Sequence, residues 1–150
     1  MQDHEIGFEQ IKYLEDTYQL VTYAKLPMAL ERGVGAHVYD SAGKEYLDFY
    51  AGHAVATTGH CHPKLVKAIS DQAQQLIFFS NIVYNSTRSR AAKALVSLLE
   101  PDFSRVFFCN SGAEANETAL KAVRKFTGKS QVIAMQQGFH GRTYGAMSMT

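Results

Sequence analysis

Residues 105–127 read RVFFCNSGAEANETALKAVRKFT, and the order of residue types within them decides the fold. Val106, Phe107, Phe108 and Cys109 make a short apolar run, β-branched and aromatic, which predicts a buried strand. The run stops at Asn110-Ser111-Gly112, and a helix is predicted to begin at once. Ser111 with Glu114 three positions on is a capping box. Ala115, Ala119, Ala122, Val123 and Phe126 then recur at helical spacing and give the helix a face to pack on a sheet. At such a junction the first-turn N–H groups lack intrahelical partners and the helix dipole is positive. Gly112 and Ala113 leave the backbone bare enough for a phosphate to approach. Read alone, the junction also fits an ordinary capped helix whose orphan donors meet Ser111 and water, and capping is general.

A second stretch, residues 131–150, reads QVIAMQQGFHGRTYGAMSMT. Residues 132–135 predict another short buried strand, followed by a glycine loop that carries Phe139, His140 and Arg142. Taken together, NSGAEANE at 110–117 and GFHGRT at 138–143 resemble the class III, ornithine-type aminotransferases, which depend on pyridoxal phosphate. Upstream, LERGVGAHVYDSAGKEYLDF at 30–49 and GHCHPKLVKAI at 59–69 extend the resemblance over nearly the whole chain.

At 150 residues the chain is long enough for a modest core. A formal net charge of +1 with no Lys/Arg run argues against nucleic acid or an acidic membrane as partner. No apolar run approaches membrane-spanning length, and MQDHEIGFEQ lacks the layout of a signal peptide, so a cytoplasmic protein is expected. Cys61 and Cys109 do not make a disulfide framework.

Residues up to about Ala24 predict a helix, with Ile6, Ile11, Leu14, Tyr18 and Val21 on one side. A hairpin follows, 36–39 paired with 45–49 through a turn at Gly43. Residues 50–60 are rich in small and apolar types, and the segment is expected to be buried, against a second subunit. Pro63 opens a helix that runs to about Phe78, and Ala91, Ala94, Leu95, Leu98 and Leu99 mark another that Pro101 terminates. The resulting expectation is an α/β chain. Residues 1–60 form an N-terminal segment of helix and β-hairpin belonging to a small domain, and 61–150 begin the large cofactor-binding domain with its first βαβ part. By the resemblance this is a fold-type I pyridoxal-phosphate-dependent transferase. A two-stranded parallel sheet would leave both edges bare, so the chain is expected to be truncated.

The resemblance also implies roles. Ser111, Gly112 and Ala113 would hold the cofactor's phosphate, and Phe139 would stack on its pyridine ring, although a lone phenylalanine after a strand is ordinarily core. His140 would flank the ring or be a satisfied polar neighbour. Arg142 would take the substrate's α-carboxylate through its planar fork, as in the acetylornithine branch; a surface arginine is the plain alternative. SNIVYN at 80–85 looks most like the same branch, with Tyr84 on the substrate side. His53 departs from the aliphatic residue common there, which leaves the amine open among acetylornithine, succinylornithine, ornithine, 4-aminobutyrate and a carrier-bound lysine precursor.

Glu114 and Glu117 are explained by the helix dipole. His60-Cys61-His62 lacks a fourth ligand at usual spacing, so no metal is expected. Neither an RNA-binding GxxG loop nor a dinucleotide or P-loop fingerprint has the required context. Transamination also needs a lysine that holds the cofactor covalently and an acid that keeps its ring nitrogen protonated. Lys121, Lys125 and Lys129 recede from the helix N-terminus, and in the family both groups lie beyond residue 150, so no catalytic residue is expected here. The implied activity moves an amino group from an ω-amino donor, foremost N-acetylornithine, to 2-oxoglutarate in a homodimer serving arginine or lysine biosynthesis. The competing expectation is a non-catalytic phosphate-binding or dimerisation module.

Overall fold

The computed structural model describes residues 6–150, and its contacts group them into two compact units, one ending at Ser80 and the other starting at Asn81. The first unit opens with α1 (Phe8–Tyr18). Lys12 and Asp16, one helical turn apart, pair at 2.6 Å on its exposed side. The helix ends at Tyr18, six residues before the predicted Ala24, and the backbone turns extended at Gln19. Val21, Thr22 and Tyr23, which favour extended backbone, follow there. The predicted start of this helix falls partly on residues 1–5, outside the described residues.

The hairpin is present with an additional strand. β1 (Leu30–Val34), β2 (His37–Asp40) and β3 (Glu45–Leu47) form an antiparallel sheet in that order. Val34 pairs with His37, Val38 with Tyr46, and the β1 register shifts between Leu30 and Arg32. Asp40 closes the β2–β3 turn: its Oδ1 accepts from the N–H of Ala42 and of Lys44, both at 2.9 Å, and its Oδ2 accepts from the Tyr46 hydroxyl at 2.8 Å. Gly43 supplies the left-handed residue of this turn, at φ +81°.

Beyond β3 the chain makes an unusual turn, α2 (Ala51–Ala54), whose residues all lie in the left-handed region: Ala51 at φ +47°, Gly52 at +56°, His53 at +58° and Ala54 at +60°. Left-handed backbone costs a non-glycine residue roughly 1–2 kcal/mol. The offset comes from Asp48, whose Oδ1 accepts from the N–H of Tyr50 and of Ala51 at 2.8 Å while its Oδ2 accepts from His60 Nε2 at 2.6 Å. His60 is itself fixed, because its N–H and C=O exchange hydrogen bonds with Gly35 at 2.7 and 2.9 Å. The expected burial of residues 50–60 is not met within this chain, since Val55 is 81% exposed. Carboxylate and backbone bonds, rather than packing, satisfy the polar groups of the segment.

Pro63 is the first residue of α3 (Pro63–Gln75), as its fixed φ favours. The helix stops at Leu76, before the predicted Phe78, as Ile77, Phe78 and Phe79 form a β-branched and aromatic run.

In the second unit, α4 (Ser86–Ser97) is capped by the Asn85 side chain, which accepts from the Arg88 N–H at 2.9 Å. α5 (Gly112–Thr127) starts at Ser111 as predicted and ends on Gly128 at φ +69°, a left-handed C-terminal stop. α6 (Tyr144–Met147) is a single turn packed on α5, and Leu120 and Ala146, one from each, are the buried apolar residues among those described. The runs at 106–109 and 132–135 do not form hydrogen-bonded strands, and no backbone bond joins them among the described residues. Their composition suits a buried parallel strand, but a strand is defined by its ladder, and neither run makes ladder hydrogen bonds among the described residues.

Candidate functional site

The site grows from the first turn of α5. Ser111 Oγ accepts from the Glu114 N–H at 3.1 Å, and the Ser111 carbonyl accepts from the Ala115 N–H at 3.1 Å. Glu114 reaches back past the cap residue, and its Oε2 accepts from the Asn110 N–H at 2.5 Å. That leaves the N–H groups of Gly112 and Ala113 without an acceptor among the described residues. A Cβ added at Gly112 would meet nothing within 4 Å, so the backbone there is open to a ligand. Paired free donors at the positive end of a helix of this length are what a phosphate dianion requires.

The glycine loop comes to this same turn. A Cβ built on Gly141, whose φ is +132°, would stand 2.6 Å from Ala113 Cβ and 3.0 Å from its Cα, so only glycine allows the approach. The two sequence motifs therefore meet at Ala113, which belongs to the donor pair. His140 is held by its backbone on both sides: its C=O accepts from Asn116 Nδ2 at 2.6 Å and its N–H donates to Thr150 Oγ1 at 3.1 Å. Its ring Nδ1 is buried without a hydrogen-bond partner. Phe139 is 70% exposed, and the Arg142 guanidinium lies 5.7 Å from the centre of its ring. Aromatic face and guanidinium thus form an exposed pair on a loop fixed from beneath. Tyr84 is fully exposed and makes no hydrogen bond or ring contact with this loop.

Sequence reasoning missed Asn116 and Glu117. The helix dipole alone favours a glutamate at this position, yet the Glu117 carboxylate leaves the helix axis for the loop. Its Oε1 accepts from Thr143 Oγ1 at 2.6 Å, from the Gly145 N–H at 2.8 Å and from the Ala146 N–H at 3.1 Å. Hydrogen bonding from Thr143, then from the Ala146 and Gly145 amides, holds the Glu117 carboxyl below its ordinary range. The signal available in the sequence was spacing: Ala113, Asn116 and Glu117 stand at i, i+3 and i+4, on one helix face. Among the described residues, no three of His, Cys, Asp and Glu gather as a metal would need, and no helix is long and apolar enough to cross a membrane.

The sequence pattern of the aminotransferase class-III family matches residues 18–150. The chain belongs to the class-III aminotransferases. The acetylornithine aminotransferase of Methanopyrus kandleri is 48% identical over 137 residues, which are 91% of this chain and 35% of that protein. Among solved structures, the acetylornithine aminotransferase of Elizabethkingia anophelis superposes with a TM-score of 0.81 at 37% identity, covering 91% of this chain and 36% of the other. The taurine:2-oxoglutarate aminotransferase of Bifidobacterium kashiwanohense, solved in complex with PLP and glutamate, superposes with a TM-score of 0.86 at 32% identity over 95% of this chain and 33% of the other. The chain thus has the fold of the type I PLP-dependent aminotransferases and spans about a third of the length of the curated relatives it matches. The donor set fits the cofactor this family implies: two free N–H groups for a phosphate, an exposed aromatic face, and open space within 4 Å of a Cβ placed on Gly112.

Proposed function

We propose that this class-III chain provides the phosphate seat and the ring-facing loop of an ω-aminotransferase that takes N-acetylornithine as donor and 2-oxoglutarate as acceptor. The enzyme would work as a cytoplasmic homodimer in arginine or lysine biosynthesis. Residues 1–60 are assigned to its small domain and 61–150 to the start of its large one. The observation that carries the reading is the meeting of free helix-terminal donors with a GFHGRT loop at Ala113. A mere phosphate binder has no need of the Phe139–Arg142 pair.

The Gly112 and Ala113 N–H groups, with Ser111 completing the cap, are assigned to pyridoxal 5′-phosphate through its phosphate. When bound, that cofactor supplies an electron sink which makes a hydrogen beside the substrate's amine acidic. Phe139 offers its exposed face to the ring, and the half-buried His140 flanks it. Arg142 is assigned the donor's α-carboxylate, where two parallel N–H bonds would fix orientation as well as affinity. Tyr84 is assigned to the substrate side. No residue of this chain is assigned the proton transfer.

The test is the complete enzyme, loaded with pyridoxal phosphate and given N-acetylornithine, succinylornithine, ornithine and 4-aminobutyrate in turn with 2-oxoglutarate. N-acetylornithine is expected to show the highest kcat/KM. Arg142→Ala should raise the KM for donors bearing an α-carboxylate by about tenfold or more, the size expected for lost charged hydrogen bonds. Preference for another donor would overturn the substrate, unchanged kinetics in the variant would remove Arg142 from the site, and no transamination with any donor would overturn the reading.

A further inference from the structure

A carboxylate that accepts three hydrogen bonds from a segment 26 to 29 residues away is not explained by its own helix. Glu117 sits in the second turn of α5, one turn beyond Ala113, and all of its bonds go to the residues that immediately follow Arg142. Thr143 is the residue before α6, yet its side chain does not cap that turn; its hydroxyl donates to Glu117 instead. Glu117 then takes over the capping, accepting the first free amides of α6 at Gly145 and Ala146. A Cβ added at Gly145 would lie 2.4 Å from Glu117 Oε2, so the carboxylate and the loop are fitted to one another at van der Waals contact. On the other side of Arg142, Asn116 holds the carbonyl of His140 at 2.6 Å. Arg142 is therefore bracketed: the residues on both sides of it are bonded to consecutive residues of α5, whose N-terminus carries the free donors.

We infer that Glu117 and Asn116 are positioning residues which fix Arg142 at a set distance from the α5 phosphate seat, so that carboxylate recognition and phosphate binding are held in register by one turn of helix. The inference rests on the function proposed above for Arg142. Neither residue touches the substrate in this scheme. Their effect passes through the loop backbone, which sets the point from which the arginine side chain extends. Loss of the clasp would leave the guanidinium charged and present but badly aimed. That predicts a defect confined to substrates that present a carboxylate to it.

The experiment compares Glu117→Ala, Glu117→Gln and Gly145→Ala in the complete enzyme. Because a single oxygen accepts all three bonds, glutamine can keep the acceptor and loses only the charge. Glu117→Ala is expected to raise the KM for an α-carboxylate donor by about tenfold while leaving the KM of a simple ω-diamine, which has no carboxylate, within about twofold. Glu117→Gln should recover most of that loss. Gly145→Ala keeps the carboxylate but pushes it away, and should behave like Glu117→Ala. A KM that rises equally for both classes of donor, or no rise at all, overturns the inference. A second readout does not depend on turnover: amide hydrogen exchange at Gly145 and Ala146 should be faster by about tenfold in Glu117→Ala than in the wild type and near wild type in Glu117→Gln. If the wild type transaminates nothing, the proposed function fails while this exchange result still decides whether the clasp exists; equal exchange in all variants overturns it.

Discussion

Gly141 is the point at which a single methyl group should separate the loop from its helix. Its φ of +132° is a conformation that side chains rarely adopt, and holding alanine there costs about 1–3 kcal/mol. The added Cβ would also stand 2.6 Å from Ala113 Cβ and 3.1 Å from Ala146 Cβ. Carbon atoms rest at roughly 3.5–4.0 Å, so the loop must retreat by about 1 Å. Both obstacles are the first atoms of short side chains on helices and have no rotamer to yield. Overpacking of this kind adds about 1–3 kcal/mol, and a total of about 3 kcal/mol, in the lower half of the combined range, corresponds to roughly a hundredfold increase in opening of the loop. Arg142 provides the assay, because trypsin cuts after arginine and needs the loop open to do so. Cleavage between Arg142 and Thr143 under native conditions, normalised to the rate in the unfolded chain, should rise about a hundredfold in Gly141→Ala. Gly112→Ala is the control: its methyl group meets nothing within 4 Å, and its cleavage rate should stay within about threefold of the wild type. Equal cleavage of the two variants would refute the contact between Gly141 and the first turn of α5.

Two further predictions concern the first unit and the pH dependence of both. Gly33→Ala would place a Cβ 2.7 Å from His60 Cβ and Cγ, so His60 should be pushed off Asp48 and the turn at 51–54 released; a loss of about 1–3 kcal/mol in urea denaturation is expected, and an unchanged midpoint would exclude the contact. The Asp48 carboxyl is held below its ordinary range by the His60 hydrogen bond and then by the Ala51 and Tyr50 amides, and Glu117 is lowered by its own partners. A depressed folded-state pKa contributes stability that is complete above the unfolded value, near 4, and is lost as pH falls through the folded value. The thermal midpoint should therefore decline below about pH 4, less steeply in Asp48→Asn, and an identical slope in that variant would remove Asp48 from the acid transition.

What the sequence disclosed follows the range of the interactions involved. The start of α5 was legible to the residue because it is a local device, Ser111 capping the Glu114 N–H three residues away. The hairpin was legible because Asp40 and Gly43 settle its turn within a few residues. Residues 106–109 and 132–135 have strand composition without being strands, since composition records what a segment can pack against and a ladder requires a neighbour. The left-handed turn at 51–54 was hidden for a related reason. Three of its residues, Ala51, His53 and Ala54, carry side chains that disfavour the conformation, and its stabilisation comes from Asp48, which must first be paired with His60 twelve positions on.

At the candidate site the same reasoning explains why the residues assigned to cofactor and substrate were easier to find than those that support them. Ser111, Gly112, Ala113, Phe139, His140 and Arg142 belong to two short motifs, each with its own chemical logic. Glu117 has a sufficient local explanation in the helix dipole, and that explanation concealed a partner 26 residues away. The glycines could have exposed it. Gly141 is required by Ala113 and Gly145 by Glu117, so two glycines four residues apart in the loop match two positions four residues apart on the helix. A chain that meets a helix at intervals of one turn is following that helix's surface, and the spacing of Gly141 and Gly145 in the second stretch is the imprint of the face presented by the first. Substitution at either end of either pair should then be relieved only at its partner: the damage from Gly145→Ala should be eased by shortening Glu117 to aspartate, which withdraws the obstructing oxygen while keeping the charge. If the double variant is no more stable than Gly145→Ala alone, the two positions are not in register and the imprint is coincidence.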